Sequence, residues 1–192
     1  MKHKLILASA SPRRRELLSM LGWDFKVEVS NADENIDKTL QPDLFTQELA
    51  LLKAADVAKK HANEKNTLVI GADTIVYLDG EILGKPKDNT DAKRMLTAMS
   101  GKEHFVYSGI CVIDTSTAKA ECRCVKTAVK FCTLSERQID DYVSTGEPLD
   151  KAGAYGIQGK AAVLVEGING DYFNVVGLPL ATLNELIVNE FN

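Results

Sequence analysis

The sequence predicts an α/β protein with a mixed sheet, and three observations lead to this prediction. Apolar runs of strand length alternate along the chain with segments whose apolar residues recur at helical spacing. A hairpin signal at Asp79-Gly80 interrupts this alternation, and so does a polar turn between two long strand candidates. An alternation of strands and helices that hairpins interrupt indicates parallel and antiparallel strands in one sheet.

The first half of the chain predicts two buried strands and two helices. Ser11 is expected to cap the first helix and Pro12 to open it, because serine accepts a backbone bond there and proline has a helical φ. The predicted segments are a strand at 4–9, a helix from Ser11-Pro12 to Gly22, a helix at 43–63 and a strand at 67–72.

The second half predicts three helices and three further strands. Thr90 is expected to cap a helix that stops at Ser100-Gly101, and Ser135 with Gln138 forms a capping box for the next helix. The predicted segments are strands at 104–114, 121–132 and 161–165, a helix from Ser135 to Val143, a turn at Asn169-Gly170 and a last helix from Pro179.

Composition and charge limit the classes of function. A chain of 192 residues with 45% hydrophobic and 26% charged residues suits one domain, 1–192. The formal net charge of −4 disfavours nucleic acid as a partner, because proteins that bind its phosphates usually carry a basic surface. The N-terminal apolar run is too short for a signal peptide and no stretch has membrane length, so the expected location is the cytoplasm, with no membrane partner.

The four cysteines, Cys111, Cys122, Cys124 and Cys132, lack the spacing of a zinc site. We expect them to be small apolar residues on strands in a reducing compartment. Cys122 and Cys124 share one strand face, which leaves a redox role open but weakly supported.

The turn between the first strand and the first helix has the composition of an anion site. Ser9 and Ser11 offer hydroxyl groups, and the N–H groups at the start of the helix attract negative charge. Arg13 and Arg14 add forked donors that match phosphate oxygens, and Arg15 extends the run. Three arginines oppose the dipole of the helix that they begin, and a polyphosphate ligand would explain this placement. The alternative is a solvated basic turn.

Four charged residues elsewhere are candidates for the same chemistry. Asp73 ends an apolar strand run, where α/β proteins place ligands, and could hold a metal or accept a proton. Glu34 could supply a second carboxylate, and Lys53 and Lys85 could each contact a phosphate. Each of them also has an ordinary explanation, as a loop cap, a solvated loop acid or a lysine that reaches solvent.

The segment 146–159 is dense in glycine and charge and contains one amide, Gln158. Such loops are often functional, and an amide both donates and accepts hydrogen bonds, as a group that contacts a nucleotide base should. The alternative is a flexible surface connection.

In this order, these pieces resemble the Maf family of nucleotide pyrophosphatases over essentially the whole chain. SASPRR combined with DKAGAYGIQG is highly specific, although neither fragment is so alone. The matching strings are SASPRR at 9–14, Glu34, Lys53 in LLKAAD, GADT at 71–74, Lys85-Pro86, Ser100-Gly101 with His104, DKAGAYGIQG at 150–159 and GDYFNVVGLPL at 170–180.

The resemblance implies a fold and a reaction. The fold would be a long, curved mixed sheet with flanking helices and a central cleft, like that of the inosine-triphosphate pyrophosphatases, in one domain that allows two lobes around the cleft. The reaction would be metal-dependent hydrolysis, with Mg²⁺ or Mn²⁺, between the α and β phosphates of a nucleoside triphosphate. The expected cellular role is nucleotide-pool house-cleaning, and the resemblance allows a homodimer.

The resemblance also implies residue roles. Asp73 would accept a proton and, with Glu34, hold the metal. Arg13, Thr74 and Gln158 match the positions that set the preference for dTTP and UTP in one branch of the family, and the branch that prefers 7-methyl-GTP lacks the run KAGAYGIQ at 151–158. The expected phosphate ligands are Ser9, Arg13, Arg14, Lys53 and Lys85.

Two other functions stay open. One is the same reaction on a modified or non-standard nucleotide. The other is a regulatory nucleotide-binding protein, because members of the family have been linked by name to septum formation.

Overall fold

The computed structural model describes residues 3–37, 39–62 and 64–191. These residues form seven strands in one sheet, and helices alternate with the strands along the chain. This confirms the predicted α/β class. The strands are β1 (Lys4–Leu7), β2 (Phe25–Val27), β3 (Thr67–Leu78), β4 (Glu81–Leu83), β5 (Glu103–Asp114), β6 (Ala120–Phe131) and β7 (Val165–Asn169).

The described residues also form six α-helices and three short 3₁₀ helices. None of these helices combines the length and apolar character needed to cross a membrane. The α-helices are α1 (Pro12–Ser19), α2 (Pro42–Lys60), α3 (Asn89–Met99), α4 (Glu136–Val143), α5 (Tyr172–Val176) and α6 (Leu180–Phe191), and the 3₁₀ helices are Glu147–Asp150, Ala152–Ala154 and Gly159–Leu164.

The sheet is mixed, as the sequence predicts. Its strand order is β2-β1-β3-β5-β6-β7, with β4 paired to β3. Strand β1 pairs in parallel with both β2 and β3, whereas β4 pairs antiparallel with β3 and β7 antiparallel with β6. The parallel pairs need crossover connections, and helices α1 and α2 lie in the intervening stretches of chain.

The chain divides into two compact units. Unit 1 comprises the described parts of 1–73, 108–125 and 177–192, and unit 2 comprises 74–107 and 126–176. Strands β3, β5 and β6 each contribute residues to both units. The arrangement of two lobes around a cleft stays a prediction.

In unit 1, helix α2 packs its alanine-rich face on strands β1, β3 and β5. Small side chains such as Ala50 and Ala54 are fully buried there, and they let the helix lie close to the sheet. The residues of this core are Ile6, Ala8, Ala50, Ala54, Val57, Ala58, Val69, Cys111 and Ile113.

Two glycines make this close approach feasible. A Cβ atom at Gly71 on β3 would lie 2.8 Å from the backbone nitrogen of Ala54 and closer still to the carbonyl oxygen of Ala50. A Cβ at Gly109 on β5 would overlap the backbone of Thr46 and lie 2.6 Å from the nitrogen of Gln47. The backbone of α2 therefore occupies the space that side chains would need at both positions.

Unit 2 has its own apolar core, formed by α3 and α4 against the strands. Met99, Leu96 and Phe131 are fully buried within it. Helix α4 contributes Ile139 and Val143, which lie four residues apart on one face of the helix.

Some of the predicted boundary signals are confirmed and others are wrong. The Ser11 cap and the capping box of Ser135 with Gln138 both form as predicted. Helix α3 is capped by Asp88, not Thr90, because the side chain of Asp88 accepts the bond from the nitrogen of Asp91. The strand predicted at 161–165 is mostly a 3₁₀ helix, and β7 begins only at its last residue.

The cysteines differ from the expectation of four small, unpaired residues. Cys111 on β5 and Cys122 on β6 form a disulfide, and their Cα atoms are 4.1 Å apart. Cys124 and Cys132 are free. The sequence separation of 11 residues does not reveal this pair, which depends on the register of neighbouring strands.

Replacing Gly71 with alanine tests the close packing of α2 on β3. We expect Gly71→Ala to lower the free energy of unfolding by about 3 kcal/mol, the upper end of the range for overpacking, because the added methyl group meets backbone atoms. Urea unfolding of the wild type and the variant measures the difference. Gly167→Ala is the matched control, since nothing lies within 4 Å of its added Cβ. Equal unfolding midpoints for Gly71→Ala and Gly167→Ala would contradict the packing described here.

Candidate active site

The turn from β1 into α1 places two hydroxyl groups beside the predicted arginines. Ser9 is buried, and its Oγ accepts hydrogen bonds from the nitrogen of Ser11 at 3.2 Å and from Nη1 of Arg14 at 3.4 Å. A hydroxyl oxygen has two acceptor positions, so the capacity left to Ser9 is to donate its proton. A phosphate oxygen requires a donor of this kind.

Arg14 is held in place by the backbone. Its Nε donates to the carbonyl oxygen of Gly177 at 2.8 Å, while its backbone nitrogen donates to Oγ of Ser11, the helix cap. The first contact orients the guanidinium, and the second holds the backbone of Arg14 at the start of α1. Arg13, the preceding residue, is half-buried, and Arg15 is exposed.

Burial and neighbouring charges act on the pKa of Arg14 in opposite directions. Loss of water contact is the largest influence on the pKa of Arg14 and lowers it, and the positive charge of Arg13 lowers it further. The carboxylates of Asp73 and Glu34 raise the pKa of Arg14 and so oppose these effects. Two arginines crowded in a partly dry position favour an anionic ligand.

Lys53 joins the two predicted carboxylates. Its Nζ lies 2.7 Å from Oδ1 of Asp73 and 3.0 Å from Oε2 of Glu34. The side chains of Lys53 and Asp73 are each 13% exposed, whereas that of Glu34 is 56% exposed. The pair of Lys53 with Asp73 is therefore the stronger contact, because water screens Glu34.

The position of Asp73 corrects one expectation. The sequence predicts that Asp73 ends its strand, but it is an interior residue of β3, which continues to Leu78. A buried carboxylate inside a strand requires a partner, and Lys53 of α2 supplies it.

The structure thus brings five of the predicted residues together in unit 1. Ser9 contacts Arg14, and Lys53 contacts both Asp73 and Glu34, while electrostatic interactions link Arg14 with the two carboxylates. Arg13 also lies in unit 1, where its charge acts on Arg14, whereas the remaining candidates, Thr74, Lys85 and Gln158, belong to unit 2. Thr74 is half-buried on β3, Lys85 is exposed after β4, and Gln158 is half-buried.

The segment around Gln158 is built by specific contacts, which disfavours the alternative of a flexible connection. The nitrogen of Gly153 donates to the carbonyl oxygen of Gly84 at 3.0 Å, and a Cβ on Gly153 would lie 2.7 Å from the Val76 side chain. Gly153 has a φ of 66°, a conformation that glycine adopts readily. The motif therefore has structural glycines as well as one amide.

Sequence reasoning did not single out Glu147, the second residue of the segment 146–159. The carboxylate of Glu147 accepts from the nitrogen of Lys160 at 3.2 Å and from the hydroxyl of Tyr142 at 3.4 Å. The Nζ of Lys151 donates to the carbonyl oxygen of Glu147 at 2.8 Å. The density of charge in the segment is a signal for such contacts, but it does not say which residues pair.

The donor set fits a divalent cation that shares its ligands with a substrate. No group of three histidine, cysteine, aspartate or glutamate residues that could hold a metal occurs in the described part of the chain. Asp73 and Glu34, however, lie close enough to contact the same ammonium group. Mg²⁺ is commonly bound by one or two carboxylates together with substrate phosphates and water, so these two residues match that chemistry.

Comparison with known proteins gives a consistent result. The family model described as Maf-like protein matches residues 4–190. A dTTP/UTP pyrophosphatase from Moorella thermoacetica is 52% identical over 184 residues, which make up 96% of this chain and 93% of that protein. Another from Clostridium botulinum is 52% identical over 185 residues, with 96% and 95% covered.

One solved structure is similar over almost the whole length. It is a nucleoside-triphosphatase / dITP/XTP pyrophosphatase from Mycobacterium abscessus, 11% identical, with 98% of each chain covered. Its TM-score is 0.47, a value too low to carry an argument.

Removing the ammonium of Lys53 tests its pairing with Asp73. We expect Lys53→Met to lower the free energy of unfolding by about 2 kcal/mol, less than the ~3–5 kcal/mol for a fully buried pair. Adding Asp73→Asn to Lys53→Met should recover part of this loss, because the unpaired charge is then removed. Urea unfolding measures all three proteins.

Lys60→Met is the control, because Lys60 is 43% exposed and its contact with Glu28 is 3.3 Å. Its expected cost is below about 1 kcal/mol. If Lys53→Met and Lys60→Met lower the free energy of unfolding equally, the buried pair of Lys53 with Asp73 stabilises the fold no more than an exposed pair does.

Proposed function

Because this chain belongs to the Maf family, we propose that it hydrolyses dTTP and UTP to the nucleoside monophosphate and pyrophosphate. Two relatives that are 52% identical to this chain over nearly their full length are named as dTTP/UTP pyrophosphatases. The observation that carries the proposal is the cluster of Ser9 and Arg14 beside the contact of Lys53 with Asp73 and Glu34.

The cations would bind the triphosphate. Arg14 is oriented by its bond to Gly177, and Arg13 and Lys53 add positive charge nearby. A triphosphate carries several negative charges, and these must be neutralised before water can attack. Lys85 is proposed as a further phosphate ligand on the exposed turn after β4.

Asp73 would serve as the general base. When the anhydride between the α and β phosphates is cleaved, water supplies the attacking oxygen and loses a proton, which Asp73 would accept. The negative charge that develops on the departing pyrophosphate would be stabilised by the same arginine and lysine side chains. Burial of Asp73 in β3 keeps its carboxylate in a fixed direction.

We propose Asp73 and Glu34 as the residues that hold the metal, Mg²⁺ or Mn²⁺. When bound, such an ion would neutralise phosphate charge and polarise a phosphoryl oxygen. Because Lys53 contacts both carboxylates, its side chain would share them with the ion or turn to a phosphate.

Gln158, with Thr74 and Arg13, would select the base. The edge of uracil or thymine presents a carbonyl oxygen beside a ring N–H. One amide satisfies both, since its NH₂ donates and its oxygen accepts. Cytosine presents an amine and an unprotonated nitrogen, so CTP should be a poorer substrate. A homodimer and a cytoplasmic location stay predictions.

A panel of nucleoside triphosphates tests the function directly. Purified protein is assayed for pyrophosphate release on dTTP, UTP, CTP, dATP, dGTP, 7-methyl-GTP and modified nucleotides, with and without Mg²⁺. We expect dTTP and UTP to be hydrolysed in clear preference, and only with the metal. A stronger activity on a modified nucleotide would favour house-cleaning of that nucleotide, and binding without turnover would favour a regulatory protein.

The first variant concerns the general base. Asp73→Asn keeps the size of the side chain but cannot accept the proton, so the rate should fall at least about a hundredfold, the usual scale for this role. Nucleotide binding, measured by the shift in melting temperature, should survive. Asp79→Asn is the control, because Asp79 is 67% exposed and pairs with Lys102. Near-normal turnover of Asp73→Asn would remove Asp73 from this role.

The second variant concerns the base. Gln158→Glu can accept but no longer donates to the base carbonyl, so the preference for dTTP and UTP should narrow. The measurement is the ratio of kcat/KM for dTTP to that for dGTP. Gln138→Glu is a matched control, because glutamate also completes the capping box of α4. A ratio that both variants leave unchanged would exclude Gln158 from the base pocket.

A further inference from the structure

A buried pair of polar side chains lies in the core of unit 2. Nε2 of His104 and the hydroxyl of Tyr155 are 2.7 Å apart, although 51 residues separate them in the sequence. The His104 side chain is inaccessible to solvent, and Tyr155 is 5% exposed. Both rings pack edge-to-face against Phe131, at centroid distances of 4.9 and 4.8 Å.

The contact joins two neutral groups. Burial lowers the pKa of His104 to about 4 and raises that of Tyr155, so neither carries charge near neutral pH. Nδ1 of His104 has no hydrogen-bond partner among the described residues, and the bond to Tyr155 is the polar contact that the imidazole keeps. An apolar pair would fill the same space without leaving a buried nitrogen unpaired. A hydrogen bond instead fixes distance and direction, which apolar packing does less strictly.

Tyr155 belongs to the segment that carries Gln158. Tyr155 is itself buried, and it lies three positions before Gln158 in the sequence. On the other side of Gln158, the nitrogen of Lys160 donates to the carboxylate of Glu147. Gly153 and Ala154 precede Tyr155 with φ values of 66° and 61°, so the chain turns sharply before it reaches this anchor.

We propose that His104 is a positioning residue for base selection, which acts by holding Tyr155 and thereby the backbone on which Gln158 is placed. The inference rests on the proposed role of Gln158 in reading the base. His104 acts through Tyr155, and the hydroxyl of Tyr155 is directed at His104 in the core.

Two variants break the bond from either end, and a third preserves it. Tyr155→Phe and His104→Leu remove one partner each, whereas His104→Gln keeps a group that can donate to or accept from the hydroxyl. We expect the kcat/KM ratio of dTTP to dGTP to fall about tenfold in the first two, an effect on the scale of one lost hydrogen bond. His104→Gln should restore most of the ratio.

Tyr155→Phe and His104→Leu should raise KM for dTTP and leave kcat nearly unchanged. Gln158 would contact the base equally in the bound substrate and in the transition state, so a displaced Gln158 weakens binding of dTTP with kcat nearly unchanged. A lower kcat with constant KM in Tyr155→Phe would overturn the inference, because it would place the effect on the chemical step.

Hydrogen exchange separates this inference from the proposed function. In Tyr155→Phe the hydrogen-bonded backbone amides of Ala154 and Lys160, which lie on either side of Tyr155 and Gln158, should exchange about tenfold faster than in the wild type, because local opening becomes easier. Unchanged exchange would overturn the positioning role, whatever the substrate of the wild type. A wild type with no preference for pyrimidines would overturn the proposed function instead, and faster exchange would still support the anchor.

Thr127→Val is the control for general destabilisation. Thr127 is buried in unit 2, and its hydroxyl bonds to the backbone of Asp171 and to Asn174. The variant should lower the melting temperature and leave both the dTTP to dGTP ratio and the amide exchange of Ala154 and Lys160 unchanged. If Thr127→Val changes the ratio as much as Tyr155→Phe does, His104 and Tyr155 are only structural.

Discussion

The close approach of helix α2 to strands β3 and β5 is the constraint on which the site in unit 1 depends. Gly71 and Gly109 leave room for the helix backbone itself, so α2 lies against the strands at two points. Lys53 lies on the same turn of α2 as Ala54, whose backbone faces Gly71. Two residues beyond Gly71 on β3 is Asp73, and the short distance between helix and strand lets Lys53 reach it. A side chain at Gly71 would meet the backbone of Ala50 and Ala54 and so act against this short distance.

The charges at the start of α1 impose a second, electrostatic constraint. Three arginines at the start of α1 oppose the helix dipole, and the burial of Arg14 adds a desolvation cost. The fold offsets part of this cost with the carboxylates of Asp73 and Glu34 and with the carbonyl oxygen of Gly177. The site therefore holds charges of both signs before any substrate binds, which suits the proposed hydrolysis of an anionic substrate with Asp73 as general base.

The sequence predicted the elements whose signals are local. The cap at Ser11 and the capping box at Ser135 follow from neighbouring residues, and both form. Features that depend on distant partners were not predictable. The run at 161–165 has the composition of a strand, yet most of it forms a 3₁₀ helix, because apolar composition does not determine which backbone pairs. The disulfide of Cys111 with Cys122 likewise depends on strand register.

The contact of Lys53 with both carboxylates also affects how any other cation reaches them. An ammonium group attached to α2 cannot diffuse away, so its local concentration is set by the length of the side chain and is the same in dilute and concentrated buffer. A free ion must compete with this tethered one at every encounter. At the proposed metal site, an ion that arrived already chelated by a polyphosphate would bring a second attraction with it, so cooperative entry of ion and nucleotide would be favoured over loading in sequence.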